Sequence, residues 1–269
     1  FGSSALRVIA IRDKGSLVGL GPFFVYGREP GGEKTLCLMG GGISDYLDIL
    51  VEPSQEPAVV ERLCKALLTI EWERAYLQDI APTSLLIKRE FLPLLPKNIS
   101  PWVVSSYLDL PSDPQALLPS LPFKLRRNLR RSLRDLGRMG LLECSVSEEH
   151  NLQEHLSTLF QLHAARWQSR GEQGMLENRR IQAFHREAAL NLQKSGVLFL
   201  VTTLLDKVPI AVFYSLVRGP NAYIYLGGLD PRYQRFSPGA VGLYFTIQAA
   251  VNRKACRADL LRGEEAYKL

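Results

Sequence analysis

Gly227-Gly228-Leu229-Asp230-Pro231-Arg232-Tyr233-Gln234-Arg235-Phe236-Ser237-Pro238-Gly239-Ala240-Val241-Gly242 carries the chain out of a sheet and into a helix. Upstream lie three apolar runs, Val197–Leu204, Val208–Val217 and Ala222–Leu226. They are joined by Leu205-Asp206-Lys207 and Arg218-Gly219-Pro220-Asn221, which is the pattern of consecutive strands and turns. The stretch from Gly227 to Pro231 is rich in breakers and ends the sheet. Ser237 is a good N-cap type, and Pro238 at the first helical position loses no hydrogen bond there. A helix that starts from a sheet edge offers its unpaired N–H groups and its dipole to an anion. Ser237, Gly239, Ala240, Val241 and Gly242 are therefore expected to hold a phosphate; the competing reading is a capped helix start with nothing bound.

Working outward, Leu152–Arg170 has helical spacing, with Leu152, Leu156, Leu159, Phe160, His163 and Trp167 on one face. Ile181–Lys194 is a second helix, Leu141–Val146 a strand before them, and Arg257–Leu261 a last strand. The second half thus reads β-α-α-β-β-β-α-β. The first half reads as strands at Ala5–Arg12, Leu17–Tyr26 and Lys34–Met39, then a short Leu47–Val51. A helix in Pro53–Arg74, a strand at Ala75–Ile80, a helix at Thr83–Leu95 and a strand at Trp102–Leu110 complete it. Pro111-Ser112-Asp113-Pro114 looks like a linker, so the expected division is 1–110 and 111–269. Asp13-Lys14-Gly15-Ser16 and Asp206-Lys207 open comparable strands, and a Gly-Gly break with a tyrosine follows each. Two diverged copies of one domain produce such an echo, and turn chemistry alone also can.

Composition narrows the partners. The 269 residues are 46% hydrophobic and 22% charged, as in ordinary globular proteins, and no apolar run is long enough to span a membrane. The net charge of +6 is local: seven basic residues and one acid, Asp135, lie between Lys124 and Arg138. Removing them from 33 basic and 27 acidic residues leaves 26 of each. In that segment Leu125, Leu129, Leu133 and Leu136 share one helix face, while Arg127, Arg131, Arg134 and Arg138 lie opposite. Only this face argues for an anionic partner, and no aromatic residue is interleaved in it for base stacking. Cys37, Cys64, Cys144 and Cys256 form no paired motif, and the four histidines lack ligand spacing. No disulfide framework and no metal site are expected, and the expected compartment is cytoplasmic. The Phe1 start suggests a fragment of a longer chain and shows no signal-peptide pattern.

The order of the second half resembles the core of the GCN5-related N-acetyltransferases. Three motifs narrow it: Lys124-Leu125-Arg126-Arg127-Asn128-Leu129-Arg130-Arg131, His163-Ala164-Ala165-Arg166-Trp167, and Asp259-Leu260-Leu261-Arg262-Gly263-Glu264-Glu265-Ala266-Tyr267-Lys268. They are similar to the basic helix, the HxxRW signature and the closing D-x-x-R-G-x-x-x-Y-K motif of CelD-like acetyltransferases. That group is related to the FemABX transferases, which carry tandem acetyltransferase-like halves. The resemblance implies an α/β fold with mixed (α+β) sheets in two such halves, the first incomplete at its N-terminus. It implies transfer of an acyl group from acyl-CoA, most simply acetyl-CoA, to an amine or hydroxyl of a small molecule or saccharide precursor. One departure stands out: Pro238 occupies the first glycine position of the usual acyl-CoA loop and has no N–H to give.

The roles that follow are expectations with stated rivals. His163 is either a buried structural histidine or a general base for an incoming amine. Arg166 either pairs with Glu264 or Glu265 as scaffold or clamps an anionic substrate. Glu264 or Glu265 would take the acceptor's proton, and Tyr267 would protonate the leaving thiolate. Arg262 or Lys268 would hold a carboxylate or phosphate, and Asp259 belongs to the same substrate cluster; a surface ion-pair cluster is the alternative. The strand edge near Tyr225–Gly228 is where an oxyanion contact is expected. An aminoacyl-tRNA-dependent transferase and a non-catalytic nucleotide- or polyanion-binding module are the rival functions.

Overall fold

The computed structural model describes residues 5–27, 32–88, 91, 97–101 and 103–262. The chain divides into two compact units, 1–103 and 104–269. The first contains β1 (Ala5–Asp13), β2 (Ser16–Gly27), β3 (Lys34–Leu38), β4 (Leu50–Val51), α1 (Glu56–Leu68) and β5 (Arg74–Ala75). Its sheet runs β1-β2-β3-β5, with β4 paired to β2, and only the β3–β5 pairing is parallel. Val59, Val60, Leu63 and Leu67 recur at helical spacing on α1 and are all buried, packed with Phe23 and Leu36 of the sheet. Of the helix expected over Thr83–Leu95 the described residues show a 3-10 turn at Leu85–Ile87, capped by the Ser84 hydroxyl; residues 89–90 and 92–96 lie outside the described residues.

The second unit adds β6 (Ser105–Asp109), α2 (Leu117–Ser120), α3 (Phe123–Gly137), β7 (Leu142–Val146), α4 (Leu152–Gln168) and α5 (Arg179–Lys194). It continues with β8 (Leu198–Leu205), β9 (Val208–Arg218), β10 (Asn221–Leu229), α6 (Pro238–Asn252) and β11 (Arg257–Arg262). The six strands run β6-β11-β10-β9-β8-β7, antiparallel except for β10 with β11. The strand expected to close the first half is β6, and it pairs with β11 in this second sheet. The boundary between the two compact units falls before it, at Val103–Val104.

Alternation along the strands sorts the helices onto two faces. Leu198, Leu200, Val212 and Tyr214 meet Leu152, Leu156, Leu159 and Phe160 of α4 and Ala189 of α5. Phe199 and Val201 meet Ala249 and Ala250 of α6 on the other face, where Phe213 and Ile224 also meet Leu243 and Ile247. The leucine face of α3 packs on α6 and on Leu205 and Ile210, leaving its arginines outward. The β8–β9 hairpin turns on Asp206 and Lys207, both at positive φ (49° and 66°), as a two-residue hairpin loop of primed type requires. The Asp206 carboxylate then accepts the Leu141 amide at 2.7 Å, and a Cβ on Gly140 would run into that carboxylate.

Candidate active site

The centre of β10 departs from a regular ladder. Its register against β9 slips between Ile224 and Leu226, so Tyr225 is an extra residue. Ile224 packs toward α6, whereas Tyr225 and Leu226 both pack on the α4–α5 face. On the other edge, among the described residues, the parallel pairing with β11 covers Asn221–Arg257, Ala222–Ala258 and Tyr223–Asp259, and β10 runs on to Leu229. β11 is irregular at the same level, shifting register against β6 between Asp259 and Arg262 with Leu261 at φ 56°. The Asp259 carboxylate accepts the Leu261 amide at 2.8 Å and fixes that irregularity. The sequence places an exposed edge near Tyr225–Gly228; the structure makes β10 an interior strand with Gly228 buried.

Gly228 is buried because α4 lies directly on it. A Cβ there would sit 2.8 Å from Leu162 Cβ, 2.9 Å from the His163 amide nitrogen and 3.1 Å from the Leu159 carbonyl. This close approach sets His163 beside the end of β10. Trp167, one turn on, donates its indole N–H to His163 Nε2 at 3.0 Å. Nε2 is then the acceptor and the neutral ring carries its proton on Nδ1, which is buried with no hydrogen-bond partner. Burial, then Arg166, then a second imidazole, His185, push the His163 pKa down to about 4. His163 is therefore a neutral imidazole near pH 7 and a weaker base than the sequence reading assumed.

His185 carries no motif in the sequence. It is 1% exposed on α5, neither ring nitrogen has a partner, and its ring meets Tyr214 and Tyr225 edge-on or tilted at 5.7 and 5.9 Å. Burial lowers its pKa as well. The Tyr214 hydroxyl is shifted the opposite way, upward, first by burial and then by Tyr225. The result is an uncharged aromatic and imidazole cluster that abuts the Tyr225 bulge from the α4–α5 side.

The start of α6 lies across the sheet from that cluster. From Leu229 the chain passes through Asp230, 4% exposed, whose carboxylate caps a 3-10 turn over Pro231–Phe236 and pairs with Arg232 at 2.7 Å. Burial opposes ionisation of Asp230, but the Arg232 hydrogen bonds and charge outweigh it and lower its pKa. Ser237 is the N-cap of α6 in the left-handed region (φ 52°, ψ 56°), and its side chain makes no capping bond, contrary to the expectation for serine there. Ala240 and Val241 both donate to the Ser237 carbonyl, at 3.1 and 3.3 Å. Gly242 faces the sheet, where a Cβ would come within 2.9 Å of Ala211 and Phe213, so it serves close packing. Pro238 has no N–H and the Ala240 amide is taken by the Ser237 carbonyl, which leaves Gly239 as the first-turn donor.

Of the other expected residues, Arg166 is half-buried on α4 three residues after His163, and Asp259 and Arg262 lie on β11. Glu264, Tyr267 and Lys268 lie outside the described residues. His163 and the start of α6 are on opposite faces, linked through the bulged end of β10. Among the described residues no cluster of three or more His, Cys, Asp or Glu is placed to hold a metal, and no helix is long and apolar enough to cross a membrane.

The comparisons agree with this architecture. The FemX crystal structure superposes with a TM-score of 0.62 at 13% identity, covering 98% of this chain and 80% of FemX. The C-terminal domain of a protein assigned as a lysylphosphatidylglycerol synthetase from Agrobacterium fabrum gives 0.57 at 14% identity, covering 96% and 70%. The structure of L-PGS from Bacillus licheniformis gives 0.54 at 13% identity, covering 97% and 72%. At such identities the likeness concerns the fold, a mixed α/β chain of two units. No curated protein sequence matches the chain. The sequence profile described as "Acetyltransferase (GNAT) domain" matches residues 124–269, more than half of the length, and the chain belongs to that family.

Proposed function

We propose that the protein transfers an acyl group from acyl-CoA, in the simplest case acetyl-CoA, to an amine or hydroxyl of a small molecule or saccharide precursor. The observation that carries this reading is the bulge at Tyr225, just past Tyr223–Asp259, the last β10–β11 pair among the described residues. The bulge re-aims the main chain of β10 at this level, which suits the oxyanion of an acyl transfer. The donor supplies an activated thioester; the chain aligns it with the nucleophile, stabilises the oxyanion and takes up one proton. In this reading the Gly239 amide and the Ser237 hydroxyl hold the donor's pyrophosphate, and Ala240, Val241 and Gly242 seat the helix that presents them.

His163, its Nε2 taken by the Trp167 indole and its pKa lowered, keeps a positioning role on the α4 side, and Glu264 is the candidate that takes the acceptor's proton. Tyr267 protonates the departing thiolate, while Arg166, Asp259, Arg262 and Lys268 form the acceptor side. The protein works as a cytoplasmic, metal-independent transferase. A second reading, an aminoacyl-tRNA-dependent transferase of FemABX type, draws support from Pro238, which removes one amide from the usual pyrophosphate loop. The test is thermal stabilisation by ligand. Acetyl-CoA should raise the melting temperature of the wild type and not of Ala240→Glu, which sets a carboxylate among the donor amides. Stabilisation by aminoacyl-tRNA with none by acetyl-CoA would transfer the case to the second reading.

A further inference from the structure

The outward face of α3 takes no part in the chemistry above, yet it holds the whole charge excess of the protein. Lys124, Arg126, Arg127, Arg130, Arg131, Arg134 and Arg138 lie on fifteen helical residues and a C-cap, with Asp135 the one acid among them. Asp135 reaches only Arg134, at 3.5 Å. Arg126 is turned back onto the Pro119 carbonyl at 2.6 Å, and Arg127 lies over the Phe123 ring at 5.9 Å. The arginines enclose a depression of about 410 Å³, lined by Phe123, Arg126, Arg127, Arg130, Arg131 and Arg134 together with Asn128, all from this helix.

Apolar side chains bracket the basic face. Phe123 is 69% exposed at its N-terminal end, and Met139 (45%) and Leu141 (61%) are exposed just past its C-terminal end. Arginine-rich faces fit phosphates of any origin, and the apolar flanks decide between origins. A nucleic-acid backbone gives an aliphatic side chain nothing to enter, and no aromatic lies between Lys124 and Arg138 for bases to stack on. A bilayer surface offers phosphates for the guanidinium groups and an acyl boundary for Phe123, Met139 and Leu141.

We infer that the outward face of α3, with Phe123, Met139 and Leu141 at its ends, is a docking surface for anionic membrane lipid. The protein settles reversibly on a bilayer by this face, headgroup phosphates lying between the arginines and Phe123 entering the interface. The inference is independent of the acyl-transfer reading, since none of these residues is assigned to the donor or acceptor site.

The test is co-sedimentation of the full chain with phosphatidylcholine vesicles, with and without phosphatidylglycerol, over a salt series. The protein should bind only the anionic vesicles, and added salt should weaken binding. Arg127→Gln/Arg131→Gln/Arg134→Gln should lose at least about tenfold in partitioning, because each surface arginine near anionic lipid contributes appreciably. Phe123→Ala should weaken vesicle binding while leaving the melting temperature unchanged. Equal binding to neutral vesicles, no binding to anionic ones, or indifference to Phe123→Ala would overturn the inference. So would tighter binding to single-stranded RNA than to anionic vesicles, or full competition by free glycerol phosphate.

Discussion

Trp167 and His163 are joined by a single hydrogen bond, indole N–H to imidazole Nε2 at 3.0 Å, one helical turn apart on α4. Since indole can only donate, the bond selects the tautomer of the histidine. Trp167→Phe keeps an aromatic ring, though a smaller one, and leaves a buried imidazole nitrogen without its partner. It should cost about 1–3 kcal/mol by chemical denaturation, the usual penalty for an orphaned buried polar atom. A cost near zero would mean the tautomer is set by something else.

The same histidine makes stability depend on pH. Its pKa is about 4 in the folded chain against 6.5 for an unperturbed group, so between those values the unfolded state binds the extra proton. Its contribution is complete above pH 6.5 and is lost as pH falls toward about 4, on the order of 3 kcal/mol in all. Burial shifts His155 and His185 in the same direction, which steepens the slope. Denaturation midpoints measured through this window should fall with acid, and less steeply in His163→Gln.

Glycine substitutions separate close approach from open space. Gly174→Ala puts a Cβ 2.7 Å from the His163 ring and from Trp167, and Gly228→Ala drives one into the α4 backbone. Each should destabilise by about 1–3 kcal/mol, as overpacking does. Gly137, the last residue of α3, meets nothing within 4 Å and has no positive φ, so Gly137→Ala should stabilise by about 0.4–1 kcal/mol. Melting curves of the three variants give the comparison directly.

Ser237 occupies the left-handed region without a capping bond to offset it. Ser237→Gly should raise stability by about 1 kcal/mol, the cost of that conformation for a residue with a Cβ. A loss of stability on this substitution would show that the hydroxyl makes an interaction the backbone geometry does not reveal.

The legible parts of the sequence were those with strong local periodicity. The strand and helix order of the second unit follows the apolar runs closely, because each element buries one face and says so at its own spacing. What local pattern cannot express is partnership. The strand over Ser105–Asp109 reads as the end of the first half, and only its pairing with β11 shows its place. Gly227 and Gly228 read as breakers, yet both remain in β10, where the Phe213 ring against Gly227 and the packing of α4 on Gly228 leave no room for a side chain. His185 sits in a largely polar helix, and its burial against Tyr214 and Tyr225 arises from elements well separated in sequence. Ser237–Gly242 reads as the start of a helix after a sheet, and α6 begins there. The serine cap there failed because Ser237 bends into a conformation from which its hydroxyl cannot reach the first-turn amides.

The central claim is that the bulged end of β10 and the first turn of α6 receive the two ends of one donor. Amide resonances mapped by nuclear magnetic resonance during addition of acetyl-CoA test it most directly. Tyr225–Gly228 and Gly239–Val241 should shift together, along one saturation curve, and Ala240→Glu should abolish both sets of changes. Shifts confined to Lys124–Arg138, or none at either place, would contradict the account.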